Sequence, residues 1–205
     1  MNYIAHLHLA QHTSTHLLGN FLGDFVKGKQ WQQLPIELQK GVQLHRWIDS
    51  YTDRSPIVQQ LTRIFPQGVQ RYAGIAIDIY FDHLLVTSWS DYCEYPADDL
   101  YSRFYQQLEN SPKMLPVNAH FYRVRRGLLE RRWLAHYGNQ VTCLKAMRAI
   151  EHRSRFTLDF AETCYHVLRT HHGTFVQHFT EFYPQLLFSA QKYVNESFKC
   201  QETLA

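Results

Sequence analysis

The chain has 205 residues, of which 45% are hydrophobic, with nine glycines, seven prolines and a formal net charge of +3 at pH 7. This length suits one domain, and the scarcity of glycine and proline favours helices over a turn-rich β architecture. The charge is too mild to indicate a nucleic-acid-binding protein, so we expect no nucleic-acid partner.

Cysteine usage and hydropathy indicate the compartment. The four cysteines are widely separated and form no C-x-x-C motif, which predicts reduced thiols and a cytoplasmic protein. The first twenty residues lack the basic segment and clean apolar stretch of a signal peptide. The most apolar stretch, "AGIAIDIYFDHLLV", is interrupted twice by Asp, so we expect no membrane span.

Helical periodicity recurs along almost the whole chain, and no segment shows the alternation typical of a strand. Thr15 and Ser55 are candidate N-terminal caps. The fold expected is a single all-α domain, a helical bundle over residues 1–205. In chain order, helices are predicted over residues 2–10, 16–27, 35–51, 55–65, 69–90, 98–110, 116–137, 140–153 and 157–198, the last interrupted near Gly173 and Pro184.

Polar residues form three clusters on otherwise apolar helices. Asp24 lies among large apolar residues in "GNFLGDFVKG". In "LHRWIDSYTD", His45, Asp49 and Asp53 are spaced four apart and share one helix face. In "IAIDIYFDH", Asp78 and Asp82 are also four apart.

A metal site is the simplest reason for these acids and imidazoles, which are good ligands for Mn, Fe or Zn. Helices of a bundle can direct such ligands inward from separate segments. The alternative is structural: Asp49 can pair with Arg46 or Arg54, and Asp78 with an arginine of another helix. In "AHLHLA", His6 and His8 point roughly 200° apart on a helix, so both cannot face one site.

Other catalytic motifs are missing from the sequence. It contains no G-x-S-x-G, no Walker A motif and no G-x-G-x-x-G. Four stretches instead carry a resemblance, namely "MNYIAHLHLA", "LGNFLGDFVKG", "GVQLHRWIDSYTDRSP" and "DIYFDHLLVTSW". Together they resemble the bacterial acyl carrier protein phosphodiesterases, or holo-acyl carrier protein hydrolases, which are regarded as distant relatives of the HD-domain metal phosphohydrolases.

The resemblance implies an HD-domain-like helical fold and a divalent metal, usually Mn²⁺. It implies hydrolysis of the phosphodiester that joins 4′-phosphopantetheine to a serine of holo-acyl carrier protein, with apo-carrier protein and 4′-phosphopantetheine as products. A metal ion would neutralise the phosphoryl oxygens and activate a water molecule.

The resemblance also implies roles for particular residues. The usual HD order is His, then His-Asp, then Asp, whereas here the adjacent pair is reversed as Asp82-His83. The expected metal ligands are Asp24, His45, Asp82 and His83; Asp49 or Asp78 is the expected base or orienting residue, Arg46 the phosphate contact, and His6 a supporting residue or further ligand.

A strongly acidic carrier protein would need a basic surface on its enzyme. The stretch "YRVRRGLLERRW" contains five arginines and a single acidic residue, Glu130. We expect a docking surface there, the alternative being an ordinary solvated helix face. The arginines are Arg123, Arg125, Arg126, Arg131 and Arg132.

Two other functions fit the same residues. The metal centre could hydrolyse a nucleotide or another small phosphoester, as many HD-type proteins do. Alternatively, the acids could be structural ion pairs in a helical binding protein without enzymatic activity. Metal content and product analysis separate these hypotheses.

Overall fold

The computed structural model describes residues 1–112, 114–153 and 159–202, with side chains described up to Phe198. Within these ranges the chain forms α-helices and short 3₁₀ turns without strands, so the all-α prediction is confirmed. The helices are α1 Tyr3–His12, α2 Leu17–Phe21, α3 Ile36–Arg54, α4 Pro56–Thr62, α5 Ala73–Thr87, α6 Ala97–Glu109, α7 Ala119–Arg131, α8 Val141–Arg153, α9 Ala161–Thr170 and α10 His172–Glu202.

The second helix is shorter than predicted. It ends at Phe21 and continues as a 3₁₀ turn over Leu22–Asp24. Its cap is also a different residue: His16 Nδ1 accepts a hydrogen bond from the Gly19 amide at 3.4 Å, whereas the Thr15 hydroxyl donates back to the Ala10 carbonyl at 3.3 Å.

The helix predicted over 116–137 is divided. Asn118 caps α7 by accepting hydrogen bonds from the amides of His120 at 3.0 Å and Phe121 at 3.3 Å, so the helix begins after Asn118 rather than at Pro116. The helix ends where Arg132 takes the left-handed conformation with φ of 45°, and a 3₁₀ turn over Trp133–Gly138 follows. This break lets the chain turn before α8 begins.

One of the two interruptions predicted in the C-terminal stretch is present. The break between α9 and α10 falls at His171, close to Gly173 as predicted, whereas Pro184 lies inside α10 without ending it. The predicted start at residue 157 lies outside the described residues.

Helix α1 is the central element of the core. Residues 4–10 are all buried, and the helix contacts α2, α3, α5, α6 and α10. His6 faces α3, whereas His8 hydrogen-bonds the Tyr183 hydroxyl of α10 at 2.7 Å. The expectation that these two histidines cannot serve one site is confirmed.

Two carboxylates of α5 hold the beginning of α1. The Asp82 oxygens accept hydrogen bonds from the amides of Ile4 at 2.8 Å and Ala5 at 2.9 Å. Asp78 Oδ1 lies 2.8 Å from the amino group of Met1. The first amides of a helix have no partner within it and carry partial positive charge, so acceptors at this end stabilise α1.

Two glycines allow α2 and α3 to pack backbone against backbone. A Cβ atom on Gly41 would lie 2.5 Å from the Asn20 nitrogen, and one on Gly19 would lie 2.8 Å from the Leu38 carbonyl oxygen. Only glycine permits this approach, which brings the turn after α2 against the middle of α3.

None of the helices in the described part of the chain combines the length and hydropathy needed to cross a lipid bilayer. Cys93, Cys143 and Cys164 are free thiols, and the side chain of Cys200 lies outside the described part. The cytoplasmic location, the HD-domain likeness and the single-domain boundary stay predictions.

We predict that Asp82→Ala lowers the free energy of unfolding at pH 6 by about 2–4 kcal/mol, because two buried amides lose their acceptor. Asp82→Asn should cost about 1–3 kcal/mol, because one oxygen remains. Urea unfolding measures both changes. Unchanged stability together with a loss of bound metal would show that Asp82 is a metal ligand, as the sequence analysis expected.

The same residue predicts a pH dependence. Burial raises the pKa of the Asp82 carboxyl to about 7, although hydrogen bonds from Ala5 and Ile4 oppose the rise. The unfolded chain titrates near the ordinary value, so this group stabilises the fold most below about pH 4 and loses that contribution as pH rises through 7. The stability difference between wild type and Asp82→Asn should therefore shrink from pH 5 to pH 8. A constant difference would contradict the raised pKa.

Candidate metal centre and its neighbouring groove

Three side chains from two helices form a compact group of possible metal ligands. His6 comes from α1, and His45 and Asp49 come from one face of α3. One ligand atom of each lies within 4.8 Å of the others. His6 Nε2 is 3.0 Å from Asp49 Oδ1, and His45 Nε2 is 3.2 Å from Asp49 Oδ2. The two imidazoles stack with their centroids 4.0 Å apart.

Acids and an amine flank this group. Asp24, at the end of the turn after α2, places Oδ1 3.6 Å from His45 Nε2, and its side chain is 45% exposed. On the other side, the amino group of Met1 lies 4.0 Å from Asp49 Oδ1 while it pairs with Asp78. Positive and negative groups therefore alternate across the site.

The surroundings give the two imidazoles different basicities. Burial, together with the neighbouring His45, lowers the pKa of His6 to about 4, although the hydrogen bond to Asp49 opposes the change. Burial also lowers the pKa of His45, but the hydrogen bond to Asp49 and the charge of Asp24 outweigh it, so the pKa is raised. Burial raises the pKa of Asp49, yet hydrogen bonds from both histidines hold it below its ordinary value.

The donor set fits a divalent cation. An octahedral ion with bonds of about 2.1 Å places its ligand atoms about 3.0–4.2 Å apart, a separation that the three side chains nearly have already. Two imidazoles with one or two carboxylates suit Mn, Fe or Zn. Each Nε2 faces a carboxylate, while the buried Nδ1 atoms of His6 and His45 have no hydrogen-bond partner in the described structure. A cation would replace the protons that now lie between the rings and Asp49.

The structure does not bring all the predicted site residues to this group. Asp82 is fully buried, and both of its carboxylate oxygens accept hydrogen bonds from amides of α1. The His83 ring directs Nδ1 to the Tyr137 carbonyl oxygen at 2.7 Å and is not part of the compact group. Arg46 donates to the Val26 carbonyl at 3.0 Å and so holds the segment after α2. Conversely, His6 and Asp49, expected to support the ligands, are members of the compact group.

Gly23 is a site residue that the sequence analysis did not identify. A Cβ atom there would lie 2.2 Å from Cδ2 of the His45 ring. The missing side chain thus gives His45 its position and brings Asp24, the next residue, beside it.

A groove of about 1130 Å³ opens next to the centre, between α7 and α8. Asn2 and Tyr3, which follow Met1 in the chain, line it. His120 lines it as well, and its ring centroid lies 5.7 Å from that of Phe25, the residue after Asp24. The candidate metal centre and the groove are therefore neighbours.

The groove divides the arginines predicted as a docking surface. Arg123 and Arg131 line it. Arg125 instead caps the end of α6 by donating to the Leu108 and Glu109 carbonyls, each at 3.1 Å. Arg132 pairs with the Glu109 carboxylate at 3.3 Å and lies over the Tyr105 ring. Arg126 is exposed outside the groove.

Three further groove residues, His120, Lys145 and Arg153, were not predicted. For His120 the signal was present as helical spacing: His120, Val124, Gly127 and Arg131 recur every three or four residues along α7 and share a face. The missing information was which helix faces that side.

Comparison with known proteins identifies a family. Residues 1–186 match the family model described as acyl carrier protein phosphodiesterase. The acyl carrier protein phosphodiesterase of Enterobacter sp. (strain 638) is 29% identical over 197 residues, covering 93% of this chain and 98% of the relative. That of Escherichia coli O6:K15:H31 (strain 536 / UPEC) is 30% identical over 198 residues, covering 94% and 98%. That of Escherichia coli O157:H7 is 27% identical with the same coverage.

No solved structure shows significant similarity to the chain. The family model nevertheless spans most of the sequence, and the curated relatives align over almost their whole length. The chain belongs to the acyl carrier protein phosphodiesterase family.

Proposed function

We propose that this protein is a metal-dependent phosphodiesterase that hydrolyses holo-acyl carrier protein to apo-carrier protein and 4′-phosphopantetheine. Membership of the family supports the reaction class. The observation that carries the metal dependence is the compact group of His6, His45 and Asp49, in which one carboxylate meets two buried imidazoles.

His6, His45 and Asp49 would hold the ion, with Asp24 beside His45 as a further ligand or proton acceptor. A divalent cation, which we expect to be Mn²⁺, supplies charge neutralisation for the phosphoryl oxygens and activates water at neutral pH. Neutral His6 suits this role because its lowered pKa leaves it unprotonated before the ion arrives.

The contacts of the three aspartates indicate which of them is free to accept a proton. Asp49 accepts from both imidazoles, and Asp78 is tied to the Met1 amino group, so neither is a free base. Asp24 is nearly half exposed, and of the described residues it contacts only His45 at its carboxylate. We assign to Asp24 the acceptance of a proton from the attacking water.

Hydrolysis should require the metal and its ligands. EDTA should abolish release of 4′-phosphopantetheine from holo-carrier protein, and Mn²⁺ should restore it, as followed by intact mass. His45→Ala and Asp49→Ala should each lower bound Mn²⁺, measured by elemental analysis, and reduce the rate at least about 100-fold. His166→Ala, on the exposed surface of α9, is the matched histidine control and should behave as wild type.

Full turnover of a rigorously metal-free sample would contradict the metal dependence. Faster hydrolysis of a nucleotide than of holo-carrier protein, in a panel tested with the same enzyme, would favour the alternative small phosphoester substrate.

We predict that Gly23→Ala lowers Mn²⁺ affinity and turnover about 10–100-fold, because the added methyl group displaces the His45 ring. The measurement is metal binding together with a urea unfolding curve. Gly74→Ala in α5 is the matched control, since its Cβ would meet no atom within 4 Å. Equal effects of the two substitutions on metal binding would show that Gly23 does not position His45.

A further inference from the structure

The groove between α7 and α8 has an apolar floor. Val124 and Ile150 face it from the two helices, and Trp133 and Tyr137 come from the 3₁₀ turn that joins them. All four are half-buried or buried in the chain. An apolar surface of this kind is stabilised by a ligand that covers it.

The two rims of the groove are cationic. Arg123 and Arg131 stand on the α7 rim, and Lys145 and Arg153 on the α8 rim. All four are exposed or half-exposed, and none forms a salt bridge with an acid of the described chain. No aspartate or glutamate of the described residues lines the groove.

The positions of these charges distinguish two possible occupants. The prosthetic arm carries its negative charge at the phosphate alone, and that group must react at the metal centre. Arg131 lies at the far end of α7 from His120, and Lys145 lies towards the beginning of α8. Cations along the whole length of an apolar groove match a ligand with several negative charges beside an apolar stripe.

We propose that the α7–α8 groove docks an acidic, amphipathic segment of the carrier protein. This inference rests on the proposed function. The apolar stripe of the segment would cover the floor, and its acids would pair with the rims. Asn2 and Tyr3 follow Met1, whose amino group lies 4.0 Å from Asp49, and the His120 ring packs against Phe25, the neighbour of Asp24. A carrier protein held in the groove therefore presents its modified serine towards Asp24.

The test uses apo-carrier protein, which has the acidic surface but no prosthetic arm. The variant Arg131→Glu with Lys145→Glu reverses one charge on each rim of the groove. Its dissociation constant for fluorescently labelled apo-carrier protein should rise at least about tenfold at low salt. The control, Arg126→Glu with Arg63→Glu, makes the same change in net charge on exposed residues outside the groove and should stay within about twofold of wild type.

The kinetics should agree with the binding. The double variant in the groove should raise KM for holo-carrier protein more than it lowers kcat, and salt should weaken wild-type binding. With Mn²⁺, hydrolysis of bis(p-nitrophenyl) phosphate should be unchanged, which also shows that the variant is folded.

Other outcomes overturn the docking surface. Equal effects of the groove and control variants on apo-carrier binding would assign the effect to net charge. Weaker binding of holo-carrier protein alone would assign the groove to the prosthetic arm. Wild-type protein that binds apo-carrier protein without hydrolysing the holo form would defeat the proposed function and leave docking intact.

Discussion

The attachment of α1 to α5 is the interaction on which the rest of the structure depends. Fully buried Asp82 accepts hydrogen bonds from the first amides of α1, and half-buried Asp78 pairs with the Met1 amino group. Burying a carboxylate is costly, and hydrogen bonds from a helix end offset that cost. The result fixes the rotation and depth of α1, the helix that contacts most of the core. His6 reaches α3 because its helix begins where these carboxylates hold it.

In the candidate metal centre, a carboxylate and two imidazoles lie in direct contact. Asp49 stays ionised because His6 and His45 both donate to it, and the stacked imidazoles are too close for both to be protonated. One carboxylate is thus shared between two bases, with Asp24 and the Met1 amino group at the edges. A divalent ion would satisfy the charge of both carboxylates at once.

Sequence periodicity predicted the helices and the stripe of His45 and Asp49, because the spacing of residues on a helix is local information. It also placed Asp78 and Asp82 correctly on one face. It could not tell that this face meets the beginning of α1, since an acid that caps a helix and an acid that binds a metal have the same neighbours in sequence. The arginines of α7 show the same limit: Arg125 and Arg131 differ only in whether α6 or the groove lies opposite them.

The backbone conformation of one residue connects the fold to the surface proposed for the partner. Left-handed Arg132 ends α7 and directs the chain into a 3₁₀ turn. Had the predicted helix continued to residue 137, Trp133 and Tyr137 would follow the axis of α7 and could not form a floor. The conformation is unfavourable for arginine by about 1–2 kcal/mol, and contacts of its side chain with Glu109 and Tyr105 offset part of that cost. The backbone of Arg132 therefore shapes the groove, while its side chain contacts Glu109 and Tyr105.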